Sequence, residues 1–231
     1  MTLGTIQKVM MENLVAQMDD RKNSRSPKLK LAAVNPGEIA VIAVSPGAGL
    51  SRIFASLGVA GIVQGGQTMN PSIKEILASF ENLPTDKIII LPNNKNIVMA
   101  AKEAASMTVK QVAVIPTVSI PQGLAAMFRL IPDADFNEIV TDMQSALTEV
   151  ETGEITVATR SVEIDGVEVA KGEVIALHNG KLVASTQTIE EACEHLLIAA
   201  HASDLERITL FYGEDHNLSQ TNPLADKNRT V

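Results

Sequence analysis

The chain is poor in aromatic residues and in cysteine, and both shortages limit what it can be. Its 231 residues include five Phe, one Tyr and no Trp, so the hydrophobic core has to be built from aliphatic side chains and Met. Cys193 is the single cysteine, which excludes an intramolecular disulfide and favours a reducing compartment. Because Cys193 falls within an amphipathic helical pattern, we expect a buried thiol rather than a nucleophile. The composition predicts a cytoplasmic protein.

Long apolar runs and clustered positive charge are also missing. No segment reaches the roughly 20 consecutive apolar residues of a membrane-spanning helix, so direct membrane insertion is not expected. The formal net charge is −8, whereas nucleic acids and anionic lipid surfaces are bound through clusters of Lys and Arg. The one basic stretch, residues 20–31, has the composition of a solvated linker. Nucleic acid is therefore not an expected partner.

Short apolar runs alternate with helical patterns between residues 38 and 130. The runs have the length of buried strands and are EIAVIAVS (38–45), AGIVQ (60–64), DKIIILP (86–92) and KQVAVIPT (110–117). Buried strands separated by helices indicate an α/β fold with a parallel sheet covered on both faces. Pro71 is expected at the first position of the helix after the second run, where its missing N–H has no partner to lose.

The pattern changes after residue 130. A helix is predicted over residues 135–151, and Asp165-Gly166 and Asn179-Gly180 mark two β-hairpin turns because such dipeptides supply positive φ angles. A helix over residues 188–202 and a strand over residues 207–213 complete a smaller α+β portion. The predicted domains are an arm (1–20), a linker (21–37), a parallel α/β domain (38–130), an α+β portion (131–213) and a tail (214–231).

Four consecutive strand ends of the α/β domain carry loops with more polar side chains than a turn requires. Because the carboxyl ends of parallel strands meet at one edge of a sheet, we expect these loops to form one surface. We call this surface the rim, and it comprises residues 45–49, 64–71, 91–96 and 115–123. Its candidate binding residues are Gly65, Gly66, Gln67, Thr68, Asn70, Asn93, Asn94, Lys95, Asn96, Thr117, Ser119 and Gln122.

The rim offers hydrogen-bonding groups but none that titrates near neutral pH. It contains no His, Asp or Glu, and Lys95 is its single charged residue. We therefore predict recognition rather than catalysis, and no catalytic or metal-binding residue is proposed. Each loop also has a purely structural interpretation. Residues 46–49 can be a tight turn or an anion-binding helix N-terminus, and several side chains can cap helices, namely Asn94, Asn96, Thr117 and Ser119.

Three motifs carry a resemblance to a known family. GGQTMNPS (65–72), LPNNKN (91–96) and IPTVSIPQG (115–123), at these spacings, resemble the C-terminal region of the dihydroxyacetone kinase-like large subunit of bacterial fatty acid kinase. The similarity runs from residue 38 to residue 213. It implies an overall fold like that of DegV-type proteins. Val118 stands where the family is expected to have a basic residue, which removes a charge from the rim.

The resemblance implies a role in phosphoryl transfer without catalysis by this chain. In that family, a separate N-terminal domain binds ATP and magnesium and phosphorylates a fatty acid presented by a DegV-type fatty-acid-binding protein. The C-terminal region is thought to dock this carrier. The nucleotide domain has no counterpart in the sequence, so we expect a fragment that needs no cofactor of its own and whose partner is the DegV-type carrier.

Two other functions are compatible with the same residues. The rim can belong to a small-molecule binding or enzymatic domain of the dihydroxyacetone kinase family, with a lipid or phosphate ester as ligand. Alternatively, the loops or the arm (1–20) can serve assembly, including a homodimer. An apolar tunnel beneath the rim would favour the first alternative.

Overall fold

The chain forms two compact units. The described part of the chain, in this computed structural model, comprises residues 8–11, 29–66, 69–164 and 167–211. The first unit falls within residues 26–150; the second contains the described residues from 151 onward together with strand β1 (Lys8–Met11). The rest of the predicted arm and the whole predicted tail (214–231) lie outside the described residues.

A parallel sheet of four strands forms the centre of the first unit. Its strands are β2 (Ile39–Ser45), β3 (Gly61–Gln64), β4 (Lys87–Leu91) and β5 (Gln111–Val114). They lie in the order β3-β2-β4-β5, and every pairing between them is parallel. The α/β class and the parallel sheet predicted from the alternating pattern are confirmed.

The central strands are buried on both faces, which explains their continuous apolar sequences. Every residue of β2 is buried, as are the four residues that end β4. On one face, Ile42, Ile88 and Ile90 pack into a cluster with Phe80 and Ile97. Because both faces of the sheet are covered, aliphatic residues are favoured at successive positions rather than at alternate ones.

Five helices surround this sheet. They are α1 (Gly47–Ser56), α2 (Ile73–Ala78), α3 (Val98–Ser106), α4 (Ile120–Met127) and α5 (Phe136–Ser145). A 3₁₀ turn at Ala146–Thr148 follows α5. The helix predicted over residues 135–151 is thus shorter, and it falls in the first unit rather than in the α+β portion. Its apolar stripe of Phe136, Ile139 and Met143 is buried there.

Two helix starts differ from the sequence prediction. Pro71 is not the first residue of α2, because Ser72 is the N-cap and forms a capping box with Glu75. Residues 120–123, which the prediction placed in a loop, are the first turn of α4. Ser119 caps this helix, and Pro121 stands in the first turn, where no hydrogen bond of the helix needs its N–H.

The second unit is antiparallel apart from one strand pair. Its further elements are β6 (Gly153–Val157), β7 (Val162–Ile164), β8 (Val167–Val169), β9 (Val174–His178), β10 (Lys181–Thr186), α6 (Ile189–Ala199), a 3₁₀ turn (Ala202–Asp204) and β11 (Arg207–Leu210). Strands β10-β9-β6 form one sheet, β7 and β8 form a hairpin, and β1 pairs with β11 in parallel.

Local turn chemistry accounts for the hairpins of this unit. Asn179 and Gly180 join β9 to β10 with φ angles of 50° and 78°, as predicted from the Asn-Gly dipeptide. The predicted turn residues 165–166, between β7 and β8, lie outside the described residues. None of the helices in the described ranges combines the length and the hydrophobicity that a membrane crossing requires.

Candidate functional site

The strand order places a topological switch point between β2 and β4. The chain passes from β2 to β3 on one side and then crosses back to β4 on the other. Loops that leave neighbouring strands in opposite directions create a crevice at the carboxyl edge of a parallel sheet. Because all four strands are parallel, the loops that follow them share this edge, and the rim is one surface of the first unit.

Two glycines let the loop after β3 approach the loop after β2. A Cβ atom on Gly66 would lie 2.9 Å from Cβ of Pro46, and one on Gly65 would lie 2.9 Å from Cγ1 of Val44 and 2.7 Å from Cδ of Pro71. These distances are shorter than carbon atoms tolerate, so any side chain at either position would force the loops apart. The glycines of GGQTMNPS therefore have a packing role.

Asn93 links the three central strands beneath the rim. Its backbone N–H donates to Oγ1 of Thr117 over 2.9 Å, and its side-chain Nδ2 donates to the carbonyl of Val44 over 2.9 Å. The residue has a φ angle of 55°, in the left-handed region that Asn tolerates better than most residues. Asn93 is 7% exposed and Thr117 is fully buried. Both serve the packing of the loops.

Gly123 closes this arrangement from the side of α4. A Cβ atom at this position would lie only 2.0 Å from Oδ1 of Asn93, so the first turn of α4 can reach the asparagine only as glycine. We call the buried set the inner rim, and it consists of Ser45, Gly65, Asn93, Thr117 and Gly123.

Ser119 and Gln122 fasten the loop after β5. Ser119 accepts a hydrogen bond from the backbone N–H of Gln122. The Gln122 side chain accepts from the N–H of Val118 over 2.9 Å and donates to the carbonyl of Leu147 over 3.3 Å. The predicted capping role of Ser119 is confirmed. Gln122, half-buried, connects this loop to the turn after α5.

The loop after β4 contains a turn rather than a helix cap. Oδ1 of Asn94 accepts a hydrogen bond from the N–H of Asn96 over 2.9 Å. The N-cap of α3 is Ile97, which has no side-chain cap bond. The suggestion that Asn94 or Asn96 caps α3 was wrong, because the chain makes one more turn before the helix begins.

A second set of rim residues faces solvent. We call it the outer rim, and it consists of Met69, Asn70, Lys95, Asn96 and Val118. Met69 is 56% exposed and Val118 is 51% exposed, although both are apolar. Over the described residues, the side chains of Asn70, Lys95 and Asn96 make no hydrogen bond or ion pair. These groups are therefore available to a partner.

Of the predicted binding residues, Gln67 and Thr68 lie outside the described residues. The structure divides the other ten. Asn70, Lys95 and Asn96 are in the outer rim, and the rest pack or bond within the loops; they are Gly65, Gly66, Asn93, Asn94, Thr117, Ser119 and Gln122.

Sequence reasoning missed one feature at the switch point. Oγ of Ser45 and Oδ1 of Asn93 are buried and have no hydrogen-bond partner in the described part of the chain. Buried polar atoms are nearly always paired, so two orphans in one region are unusual. Ser45 ends a run of six apolar residues, and a polar residue there was the available signal.

Titratable groups of the second unit have structural settings. Burial, aided by Glu190 and Glu194, raises the pKa of the Cys193 thiol to about 11, so it is a thiol at neutral pH, and the predicted buried thiol is confirmed. Hydrogen bonds from Asn179 and His178 lower the pKa of Glu151. No group of three or more His, Cys, Asp or Glu within the described ranges is placed to hold a metal ion.

Comparison with known proteins gives relatives that are much longer than this chain. An uncharacterized protein of Staphylococcus epidermidis is 37% identical over 226 residues, and uncharacterized proteins of Staphylococcus aureus strains USA300 and N315 are 38% identical over 225 residues. The alignments cover 96% of this chain but only 41% and 40% of those relatives, respectively. The chain therefore spans about two fifths of their length.

A family model matches most of the chain, over residues 40–230. The matched region includes the whole parallel sheet apart from the first residue of β2. The family is that of the FakA-like C-terminal domain of fatty acid kinase. The resemblance drawn from the three rim motifs is thereby confirmed at the level of the family, and the protein belongs to the FakA-like, C-terminal family of fatty acid kinase domains.

Proposed function

We propose that this chain is the docking part of a fatty acid kinase and that its outer rim recognises a DegV-type fatty-acid-binding protein. The carrier would present the acyl carboxylate to a nucleotide-binding domain outside this sequence, which supplies ATP and magnesium. The observation that carries the proposal is the outer rim, a set of exposed and unbonded side chains on one edge of a rigid sheet. Family membership supports the kinase context.

The chemistry of the rim favours recognition over catalysis. Acid–base catalysis requires a group that exchanges protons near neutral pH, and the rim sequence has no His, Asp or Glu. Asn70 and Asn96 each offer an amide that can donate and accept hydrogen bonds. Such side chains suit the backbone of a partner protein.

The mixture of side chains on the outer rim also resembles a protein interface. Met69 and Val118 provide exposed apolar surface, and methionine is enriched at protein–protein contacts because it adapts its shape. Lys95 is the only charge and has no ion-pair partner among the described residues. An ammonium group on an otherwise neutral surface attracts a carboxylate or phosphate.

The inner rim supports the outer one. Asn93 and Thr117 tie the loops after β4 and β5 together, and the glycine contacts bring the first two loops into place. A surface whose backbone is already fixed loses little conformational freedom on binding. We further propose that the whole chain shares its overall fold with the DegV-type carrier, so that the complex joins two similar molecules.

A titration by calorimetry tests this function. The chain is titrated with a DegV-type protein loaded with fatty acid, and we expect a one-to-one complex. Lys95→Ala combined with Asn96→Ala should weaken binding about ten-fold or more, the loss expected from a charged and a neutral hydrogen bond. Lys102→Ala, an exposed lysine of α3 outside the rim, is the matched control and should bind normally. Absence of binding by the unmodified chain would refute the proposal.

One observation favours a second candidate, a small ligand at the switch point. The unpaired Ser45 Oγ and Asn93 Oδ1 lie where open α/β sheets bind ligands, and a ligand hydroxyl could satisfy both. A thermal shift with fatty acids, acyl phosphates and triose phosphates separates the two candidates. A rise in melting temperature that Ser45→Ala abolishes would favour the small ligand; docking that Ser45→Ala leaves intact would favour the carrier.

A further inference from the structure

Strand β5 forms one edge of the parallel sheet, and its outer side is open. It is the last strand in the order β3-β2-β4-β5. The N–H of Ile115 donates to the carbonyl of Ile90 over 3.0 Å, which fixes the residues that face β4. Because bonding direction alternates along a strand, the amide and carbonyl groups of Val112 and Val114 point away from β4. No described residue bonds to these groups.

The edge lacks the features that usually keep open strands apart. Lysines commonly protect such edges, but the ammonium group of Lys110 donates to the carbonyls of Leu83 and Thr85, over 2.6 and 2.7 Å, within its own unit. Val109, just before β5, is fully exposed, and Met107 is 61% exposed. An uncharged edge strand that begins with exposed apolar residues is a site for pairing with another strand.

We propose that a second copy of the chain pairs with this edge, antiparallel, about a two-fold axis at Ala113. In this register, Val112 of each copy lies opposite Val114 of the other copy as a hydrogen-bonded pair. The pairing satisfies every open amide and carbonyl group of both valines in both copies. Pro116, the next outward-facing position, has no N–H, so the ladder ends there.

Charge supports a second copy as the occupant. A chain with a net charge of −8 repels itself over most of its surface. No Asp or Glu occurs between Glu103 and Asp133, so two copies can meet at β5 without carboxylates facing each other. In the proposed register, Lys110 lies opposite Pro116 of the other copy, and no like charges are paired. The strand is therefore complementary to itself in both hydrogen bonding and charge.

Sedimentation velocity over a range of protein concentrations tests the proposal. An interface this small is weak, and we expect reversible dimerisation at about 10–100 µM. Val112→Pro removes an outward N–H and leaves the bonds to β4, so it should weaken the dimer about thirty-fold, since two bonds are lost per dimer. Val109→Lys adds a charge at a fully exposed position and should also weaken it. Ile198→Lys, the same kind of change at an exposed position of α6, should have no effect.

Cysteine cross-linking tests the register independently of these variants. Opposite residues of a non-hydrogen-bonded pair have close Cα atoms, so Ala113→Cys in a Cys193→Ala background should form an intermolecular disulfide on mild oxidation. Val112→Cys in the same background is the control and should cross-link poorly, because residue 112 of one copy faces residue 114 of the other. A monomeric unmodified chain at the highest concentration, or equal cross-linking of both variants, would overturn the proposal.

Discussion

The inner and outer rim occupy the same four loops but differ in what their side chains do. Asn93 and Thr117 are buried and hydrogen-bonded to each other's segments, whereas Lys95 and Asn96, two and three residues after Asn93, face solvent. The chemistry of the side chains is similar, since both sets contain asparagine. Their burial is opposite. The comparison teaches that a polar motif on a rim can combine a fixed frame with a free surface, and only the free surface is available for binding.

Gly123→Ala should have the largest effect on stability. A Cβ atom 2.0 Å from Oδ1 of Asn93 would displace the asparagine and separate α4 from the loop after β4. We expect a loss of about 3 kcal/mol in the free energy of unfolding, measured by urea denaturation. Because the clash involves one side chain, the same substitution should cost much less in an Asn93→Ala background. Additive losses in this double-mutant cycle would show that the contact is unimportant.

Asn93→Ala alone should cost about 2 kcal/mol. The change removes the bond to the carbonyl of Val44 and places alanine at a φ angle of 55°, which asparagine tolerates better. Asn96→Ala, in the same motif, is the matched control and should change stability by less than about 0.5 kcal/mol. If the two asparagines proved equivalent in a thermal melt, the division into inner and outer rim would fail.

Gln122→Ala sharpens the boundary between the two sets. Its half-buried side chain holds the N–H of Val118 and the carbonyl of Leu147, so we expect an intermediate loss of about 1 kcal/mol. The loop that carries Val118 should also exchange its amide hydrogens faster in this variant. Exchange unchanged at Val118 would indicate that Gln122 does not hold the loop.

The smallest effect concerns the capping box at the end of GGQTMNPS. Hydrogen bonds from the side chain and the backbone N–H of Ser72 lower the pKa of Glu75. A lowered folded-state pKa means that the contribution is present above the unfolded pKa and is lost as pH falls through the folded value. Ser72→Ala should therefore raise the pKa of Glu75 towards its ordinary value in an NMR titration. A pKa unchanged by Ser72→Ala would show that the box is not formed in solution.

Much of the first unit could be predicted from sequence because its signals are local. Runs such as IAVIAVS and KIIIL are long enough to be strands and too short to be typical helices, and their alternation with helical patterns requires parallel pairing. The Asn179-Gly180 hairpin was equally accessible, since few other dipeptides favour its φ angles. The order of the strands follows from none of these signals.

The candidate site was predictable in place but not in detail. Parallel strands put the four loops on one edge, whereas the roles of individual asparagines depend on long-range contacts. Asn93 is bonded to Val44, 49 residues away in sequence, and no local pattern distinguishes it from Asn96. Helix α4 was missed because Pro121 and Gly123 are poor helix formers, and here they serve the first turn and a close contact.

Hydrogen–deuterium exchange of the chain, alone and with a DegV-type protein carrying fatty acid, tests the central claim most directly. The outer rim should become protected on binding, with slower exchange at Met69, Asn70, Asn96 and Val118. Exchange at Asn93 and Thr117 should already be slow without the carrier, because both residues are buried. Saturating carrier that leaves the outer rim as exposed as before, or that protects only surfaces away from it, would contradict the claim.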